Sequence, residues 1–289
     1  MLQIKKLSPG QFPSALREIP QPPDELWIRG ELPDENENTF LAVVGSRKYS
    51  RYGRDVCEKL ISGLQGHKVV IVSGLALGID GIAHRAALDA NLKTIAIPGS
   101  GLDPSVIYPR MHAALAEEIV ENGGALISEF PPDFRATDWS FPKRNRLMAG
   151  FSKAVLIVEA EEKSGTLITA RMALDYNRDV FAVPGDIFSP NASGANRLIR
   201  QGATPITRSE ELLLALGFEV GENRERALGE LAGATEPEKK LWSILTEPMA
   251  RDEIFHQSRM SVQEFNAVLS LLEIKGLITE ELGEIRRNS

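Results

Sequence analysis

The sequence predicts an α/β fold, with a doubly wound, mostly parallel sheet and a small winged-helix-like domain at its C-terminal end. From residue 40 onwards, short runs of Val, Ile, Leu and Ala alternate with amphipathic stretches of helical length. The apolar runs are continuous rather than alternating, which is typical of parallel strands covered on both faces. Four of the runs end in glycine, as expected for turns at the carboxyl edge of such a sheet.

The predicted elements follow one another with short connections. Strands are predicted at 40–45, 69–74, 94–99, 125–130, 154–160 and 180–185. Helices are predicted at 52–65, 78–90, 111–122, 142–151, 164–177, 194–201 and 208–216. Strands that alternate with helices in this way indicate one doubly wound domain over residues 40–217.

Three further segments flank this predicted domain. Residues 1–39 are rich in Pro and acidic side chains, and consecutive prolines forbid a helix, so we expect an extended lead-in that packs on the main domain. Residues 218–236 are charged and without apolar periodicity, which is typical of a linker. Residues 237–289 predict three helices and then a strand pair, the order of a winged helix.

Composition and charge limit the functional classes. The 289 residues carry a net charge of −7, but residues 40–210 alone carry +2, so only the middle of the chain favours an anionic ligand. No apolar run approaches the roughly 20 residues that span a membrane, and the first residues lack the apolar region of a signal peptide. Cys57 is the single cysteine, which excludes an intramolecular disulfide. These features predict a cytoplasmic protein without a membrane partner.

Three glycine-containing turns are candidate phosphate sites. Glycine lets an anion approach the backbone, and a helix start offers unpaired N–H groups and the positive end of the helix dipole. Each turn also has a plainer interpretation: an ordinary surface Arg in the first, a tight turn in the second and a helix N-cap in the third. The candidate residues are Gly45, Ser46 and Arg47, then Ser73, Gly74 and Gly78, and finally Ser164, Gly165 and Thr166.

A fourth candidate opens the helix predicted at 142–151. An aromatic ring and three cations within six residues can stack a base and pair with phosphates. The alternative is a solvated charged helix face, which the flanking Trp139 disfavours. The candidate residues are Phe141, Lys143, Arg144, Asn145 and Arg146.

Signals for catalysis and for cofactors are missing from the sequence. There is no phosphate loop of the GxxxxGK[ST] kind and no G-x-S-x-G turn. The glycine spacing after the second strand differs from the dinucleotide pattern G-x-G-x-x-G. The four histidines have no partners at metal-binding spacing. We therefore expect no catalytic residue, no metal and no cofactor.

Taken in order, the motifs resemble the DNA-processing protein A family, also called DprA or Smf. The resemblance is carried by six segments spread over residues 40–210. They are GSR (45–47), SGLALGIDGIAH (73–84), GSGLD with YP (99–109), FPKRNRLMAGFS (141–152), EAEEKSGTLITA (159–170) and VFAVPGDIFSPNASGANRLIRQGA (180–203). The resemblance implies an extended Rossmann-like domain that forms a homodimer. It also implies that the protein binds single-stranded DNA, hands it to RecA recombinase during natural transformation and has no hydrolytic activity.

Two other functions remain open from the residues. A nucleotide phosphoribohydrolase of the lysine-decarboxylase-like family would also use a Rossmann sheet with a glycine loop before a helix. That family resembles PGGxGTxxE at the corresponding place, whereas this chain has Thr169 where the catalytic Glu would fall. The winged-helix-like segment could instead bind duplex DNA, although residues 211–289 carry a charge of −6.

Overall fold

The computed structural model describes residues 3–219, 234–245, 248–275, 277–281 and 283–287. The chain divides into two compact units, residues 1–219 and 220–289. Most of the predicted linker at 218–236 lies outside the described residues.

The first unit is built on a nine-stranded mixed sheet. Its order is β1-β2-β6-β5-β4-β3-β7-β8-β9, and the pairs from β6 through β9 are all parallel. The strands are β1 (Lys5–Leu7), β2 (Leu26–Gly30), β3 (Thr39–Val44), β4 (Val69–Ser73), β5 (Thr94–Ala96), β6 (Ala125–Ser128), β7 (Ala154–Ile157), β8 (Asp179–Ala182) and β9 (Thr204–Pro205). The doubly wound, mostly parallel sheet predicted from the sequence is confirmed.

Eight helices accompany this sheet in the described part of the first unit. Their apolar faces, together with the continuous apolar strands, form the buried core. The helices are α1 (Ser14–Arg17), α2 (Arg51–Ser62), α3 (Ile79–Asp89), α4 (Ala113–Glu121), α5 (Ser140–Phe151), α6 (Thr166–Asp175), α7 (Ser193–Arg200) and α8 (Ser209–Ala215). The Cys57 thiol is buried, and burial raises its pKa, so it behaves as a small core residue rather than a nucleophile.

The lead-in is part of the sheet rather than a segment laid on it. β2 pairs antiparallel with β6, with Ile28 opposite Ile127, and β1 pairs antiparallel with β2. Arg29 on β2 is 2% exposed and ion-pairs with Glu117 of α4. The predicted packing of the lead-in on the main domain therefore takes the form of two added strands.

The second unit has the element order of a winged helix, as predicted. Helix α9 (Glu236–Ile244) is followed by β10 (Met249–Ala250), α10 (Arg251–Ser258), α11 (Val262–Ile274), β11 (Ile278–Glu281) and β12 (Glu284–Arg287). The three strands form one antiparallel sheet in the order β10-β12-β11. Its own apolar core includes Trp242, Phe265 and Leu272.

The order of the strands shows where a ligand crevice lies at the edge of the sheet. Strands β3 to β6 extend the sheet in one direction from β3, and β7 to β9 extend it in the other. Where the strand order reverses, the connections after two neighbouring strands run to opposite sides of the sheet and leave a crevice at its carboxyl edge. This crevice is the usual ligand site of open α/β sheets. Here the crevice lies between the ends of β3 and β7.

Candidate nucleic-acid interface

A cavity of about 560 Å³ occupies this crevice. Most of its wall comes from three segments that are far apart in the sequence: the loop after β3, the start of α5 and the loop before α6. Nine of the predicted site residues line it, namely Gly45, Ser46, Arg47, Phe141, Arg144, Asn145, Ser164, Gly165 and Thr166. The structure thus brings three of the four predicted segments together.

The loop after β3 contributes the accessible positive charge. Arg47 and Lys48 are exposed and line the cavity. Within the described residues, neither has a carboxylate within 4.0 Å. Ser46 is buried, and its hydroxyl accepts a hydrogen bond from the Lys48 N–H at 3.0 Å, which shapes the turn. An unpaired cation at the mouth of a cavity is available to an incoming anion.

Phe141 lies at the centre of an aromatic and cationic cluster. The Arg47 guanidinium carbon is 5.2 Å from the Phe141 ring centroid, within cation–π range. The Tyr108 ring centroid is 5.6 Å from that of Phe141, and the Tyr108 side chain is 51% exposed. Its exposure makes the Tyr108 ring accessible to a ligand.

The loop before α6 lines the cavity and offers it the backbone of Gly165, whereas the Ser164 N–H donates to the Glu161 carbonyl at 3.2 Å. The Thr166 hydroxyl donates to the carbonyl of Gly45 at 3.2 Å, which ties the start of α6 to the end of β3. The Ser164 hydroxyl accepts from the Thr166 N–H at 3.2 Å. Gly165 is exposed, and a Cβ built there would meet no atom within 4 Å. This arrangement leaves room for an anion at the positive end of α6.

Arg144 lines the cavity as a buried cation. It is 3% exposed and donates to the backbone carbonyls of Gly74 and Ile97. Burial lowers its pKa to about 10, so it remains charged at neutral pH. Asp80 is also buried, which raises the pKa of its carboxyl, and it accepts from the Gly74 N–H at 3.1 Å. Arg144 and Asp80 therefore hold the Gly74 peptide between them.

Five predicted site residues lie outside the cavity lining. Ser73 is buried and donates to the carbonyl of Val43 at 2.6 Å, and Gly78, at φ +85°, allows close approach to the Ser46 carbonyl. These two, with Gly74, shape the framework behind the wall.

The other two cations of the 141–146 segment are paired with the protein itself. Arg146 is 8% exposed, ion-pairs with Glu129 and donates to the carbonyl of Gln21 at 2.5 Å. Lys143 lies 3.3 Å from the same carboxylate. The sequence predicted three free cations here, and the structure instead gives one buried in the cavity lining and two facing Glu129. A role for Lys143 and Arg146 in DNA binding stays a prediction.

The cavity lining also includes residues that the sequence analysis did not select. They are Val44, Lys48, Ala76, Asp80, Asp138, Pro142, Met148, Glu161, Ile168 and Thr169. Lys48 could have been selected, because it directly follows the Gly45–Arg47 turn. Among the described residues, no group of three or more His, Cys, Asp or Glu is arranged to hold a metal ion. None of the described helices is both long and apolar enough to cross a bilayer.

Comparisons with known proteins identify the family. The model of the DNA recombination-mediator protein A family matches residues 4–217, and that of the DprA winged helix domain matches residues 227–284. Protein Smf of Escherichia coli (strain K12) is 47% identical over 211 residues, which are 72% of this chain and 54% of that protein. The match therefore spans about half the length of that relative. DNA processing protein DprA of Bacillus subtilis (strain 168) is 40% identical, over 71% of this chain and 68% of that protein.

Solved structures give the same assignment. DNA processing protein A from Streptococcus pneumoniae superposes with a TM-score of 0.68 at 38% identity, covering 76% of each chain. A structure that concerns the single-stranded DNA binding mode of DNA processing protein A from Helicobacter pylori superposes with a TM-score of 0.66 at 32% identity. It covers 74% of this chain and 96% of that one. The sheet, the crevice motifs and these matches together show that the chain belongs to the DNA recombination-mediator protein A family.

Proposed function

We propose that this protein binds single-stranded DNA in the cavity at the carboxyl edge of its sheet. The observation that supports this most is the convergence of exposed Arg47, the half-buried ring of Phe141 and the exposed backbone of Gly165 on one cavity. Cations and helix-start donors suit phosphates, and an aromatic ring suits an unstacked base. Only a single strand presents both at once, because bases in a duplex are already stacked.

The chemistry of the cavity favours binding over catalysis. Thr169 is buried in the lining at the place where the rival phosphoribohydrolase motif has its catalytic Glu. Three acids line the cavity: Asp80 accepts a hydrogen bond from the Gly74 N–H, and Asp138 and Glu161 are exposed to solvent. We therefore propose an adapter rather than an enzyme. Absence of base release from AMP at enzyme concentration would agree with this.

Family membership supports a role for this DNA binding in recombination. We propose that the protein acts in the cytoplasm as a homodimer, protects incoming single strands and loads RecA recombinase on them during natural transformation. Recovery of RecA with the protein on oligo-dT, and its loss when the oligonucleotide is omitted, would agree with this loading role.

The DNA-binding proposal is tested by titrating fluorescent oligo-dT against a matched duplex at two salt concentrations. Phosphate contacts to a single strand predict that log affinity falls with log salt by about 0.7 per neutralised phosphate. Arg47→Ala should weaken binding and reduce this slope. Arg54→Ala is the matched control, because Arg54 is exposed on α2 and pairs with Glu58. Equal binding of single strand and duplex, or an Arg47→Ala variant that binds like wild type, would contradict the proposal.

A further inference from the structure

Two neighbouring apolar side chains project into solvent from the loop between β8 and α7. Phe188 is 88% exposed and Ile187 is 83% exposed, the two highest values for large hydrophobic residues in the described part of the chain. Exposing a phenyl ring so completely has a solvation cost, which suggests that the ring has a partner in the functional state.

The loop that presents them is fixed by hydrogen bonds at both ends. The N–H of Phe188 donates to the Asp186 carboxylate at 2.9 Å. The amide of Asn196 bonds both the N–H and the carbonyl of Gly185, at 3.1 and 3.0 Å. The Tyr52 hydroxyl donates to the carbonyl of Pro184 at 2.7 Å. Ile187 and Phe188 therefore lie on a turn that hydrogen bonds hold in place.

A second cavity, of about 580 Å³, lies against this turn. Its wall includes Tyr52, whose side chain is 48% exposed, and the buried carboxylate of Glu159. Both Glu159 oxygens accept hydrogen bonds from Ser50, at 2.9 and 2.5 Å. Asp186 also lines this cavity. Two carboxylates repel a phosphate but tolerate the N–H edges of a base, so the second cavity suits a nucleobase.

The second cavity lies close to the first along the chain, because Lys48 lines the first cavity and Ser50 lines the second. The Asn191 amide donates to the carbonyl of Lys48 at 2.8 Å, and its own carbonyl accepts from the Ala160 N–H at 2.8 Å. Lys48 lines the first cavity. A strand that leaves the first cavity past Lys48 therefore meets the second cavity next, with the cation on the path of its phosphates.

We propose that Tyr52, Ile187 and Phe188 form a second base-binding subsite, the distal patch, for the single strand that occupies the first cavity. This inference rests on the proposed function. The distal patch takes unpaired bases by stacking, and it lengthens the stretch of nucleotides that one protein chain covers. The chemistry recognised is the face of a base, so the subsite is tolerant of sequence.

The test compares oligo-dT of about 5 and about 20 nucleotides, which bracket the roughly 4–16 nucleotides that a single-strand groove covers. Phe188→Ala should weaken binding of the long oligonucleotide about tenfold, which corresponds to one lost stacking contact. Binding of the short one should change less than about twofold, because the first cavity suffices for it. Phe188→Trp should retain the affinity of wild type for the long oligonucleotide.

Ile187→Ala has a matched control in the second unit. Ile274 is 82% exposed, so Ile274→Ala removes the same atoms from an equally exposed site. Ile187→Ala should weaken binding of the long oligonucleotide, and Ile274→Ala should not. Wild-type affinity of Phe188→Ala for the long oligonucleotide, equal losses for both lengths, or a changed oligomeric state with unchanged DNA affinity would each overturn the distal patch. Failure of wild-type protein to bind either oligonucleotide would instead refute the proposed function.

Discussion

The guanidinium of Arg47 lies over the ring of Phe141, with 5.2 Å between its central carbon and the ring centroid. The two residues come from different elements, the loop after β3 and the first turn of α5. Their contact holds the cation and the ring at the mouth of the first cavity before any ligand arrives. Side chains that are already ordered lose less conformational entropy on binding, so we expect the pair to act as a unit.

Arg47 and Phe141 should therefore be energetically coupled in DNA binding. Phe141→Ala should cost about 1–3 kcal/mol of binding free energy, as expected for a stacked base. The loss in the double variant with Arg47→Ala should be smaller than the sum of the single losses, by about 0.5–1 kcal/mol. Anisotropy titrations of the four proteins with oligo-dT measure this coupling. Strict additivity would show that the residues bind independently.

Arg146 should matter for folding rather than for DNA binding. Its guanidinium is buried against Glu129, and removing one partner of a buried ion pair typically costs about 3–5 kcal/mol. Urea unfolding of Arg146→Ala and of Glu129→Gln should both show losses of this order. Lys143→Ala should cost less than about 1 kcal/mol, because that side chain is 46% exposed.

The same variants show which of the cations contact DNA. At a temperature where Arg146→Ala remains folded, its affinity for oligo-dT should equal that of wild type, whereas Arg47→Ala should bind weakly while unfolding like wild type. A strong loss of affinity in a well-folded Arg146→Ala protein would show that Arg146 changes partner when DNA binds.

Gly74 should not accept a side chain. A Cβ at this position would overlap the Arg144 guanidinium and the Asp80 carboxylate. Gly74→Ala should destabilise the protein by about 1–3 kcal/mol, the usual cost of overpacking a core. Gly165→Ala is the control, because its Cβ would meet no atom within 4 Å. Thermal or urea unfolding compares the two, and equal stability of both variants would contradict the packing described here.

His84 should make the stability of the fold depend on pH. Its ring is buried against Thr94, 2.7 Å from the hydroxyl, and burial lowers its pKa from 6.5 to about 3. Between these values the unfolded chain takes up a proton that the folded chain does not, so the free energy of unfolding falls as the pH falls. This contribution is complete above pH 6.5 and decreases by about 1.4 kcal/mol per pH unit below it.

Urea unfolding at pH 7.5 and 5.5 measures this effect, with His84→Asn as the comparison because it removes the titrating ring. The wild-type protein should lose about 1.4 kcal/mol more than the variant between the two pH values. The same loss in both proteins would assign the pH dependence to other groups.

The sequence predicted the parallel core well because its strands are buried on both faces. β4 and β7 read as continuous apolar runs, and the observed strands end one and three residues before the predicted ends at 74 and 160. The strands of the lead-in were not predicted. β1 and β2 are short and lie beside prolines and acids, so their strand character depends on pairing with β6, which no local pattern shows.

The sequence predicted which residues form the candidate site better than it predicted which of their charges are free to bind a ligand. Gly45–Arg47, Phe141 and 164–166 meet at one cavity because carboxyl ends of parallel strands share an edge. The pairing of Lys143 and Arg146 was not predictable, because their partner Glu129 lies on the connection after β6. A run of cations shows how much charge is present, whereas its availability depends on residues that only the tertiary structure brings near.

Both borders of the nine-stranded sheet are closed to a further strand. At one border, β9 has only two residues and its second is Pro205, which has no N–H to donate. At the other, β1 has three residues, of which two are lysines, and charged side chains oppose the approach of another chain. Pairing of an edge strand with an edge strand of another copy is therefore disfavoured. The proposed homodimer would therefore be joined through side chains rather than through an added strand.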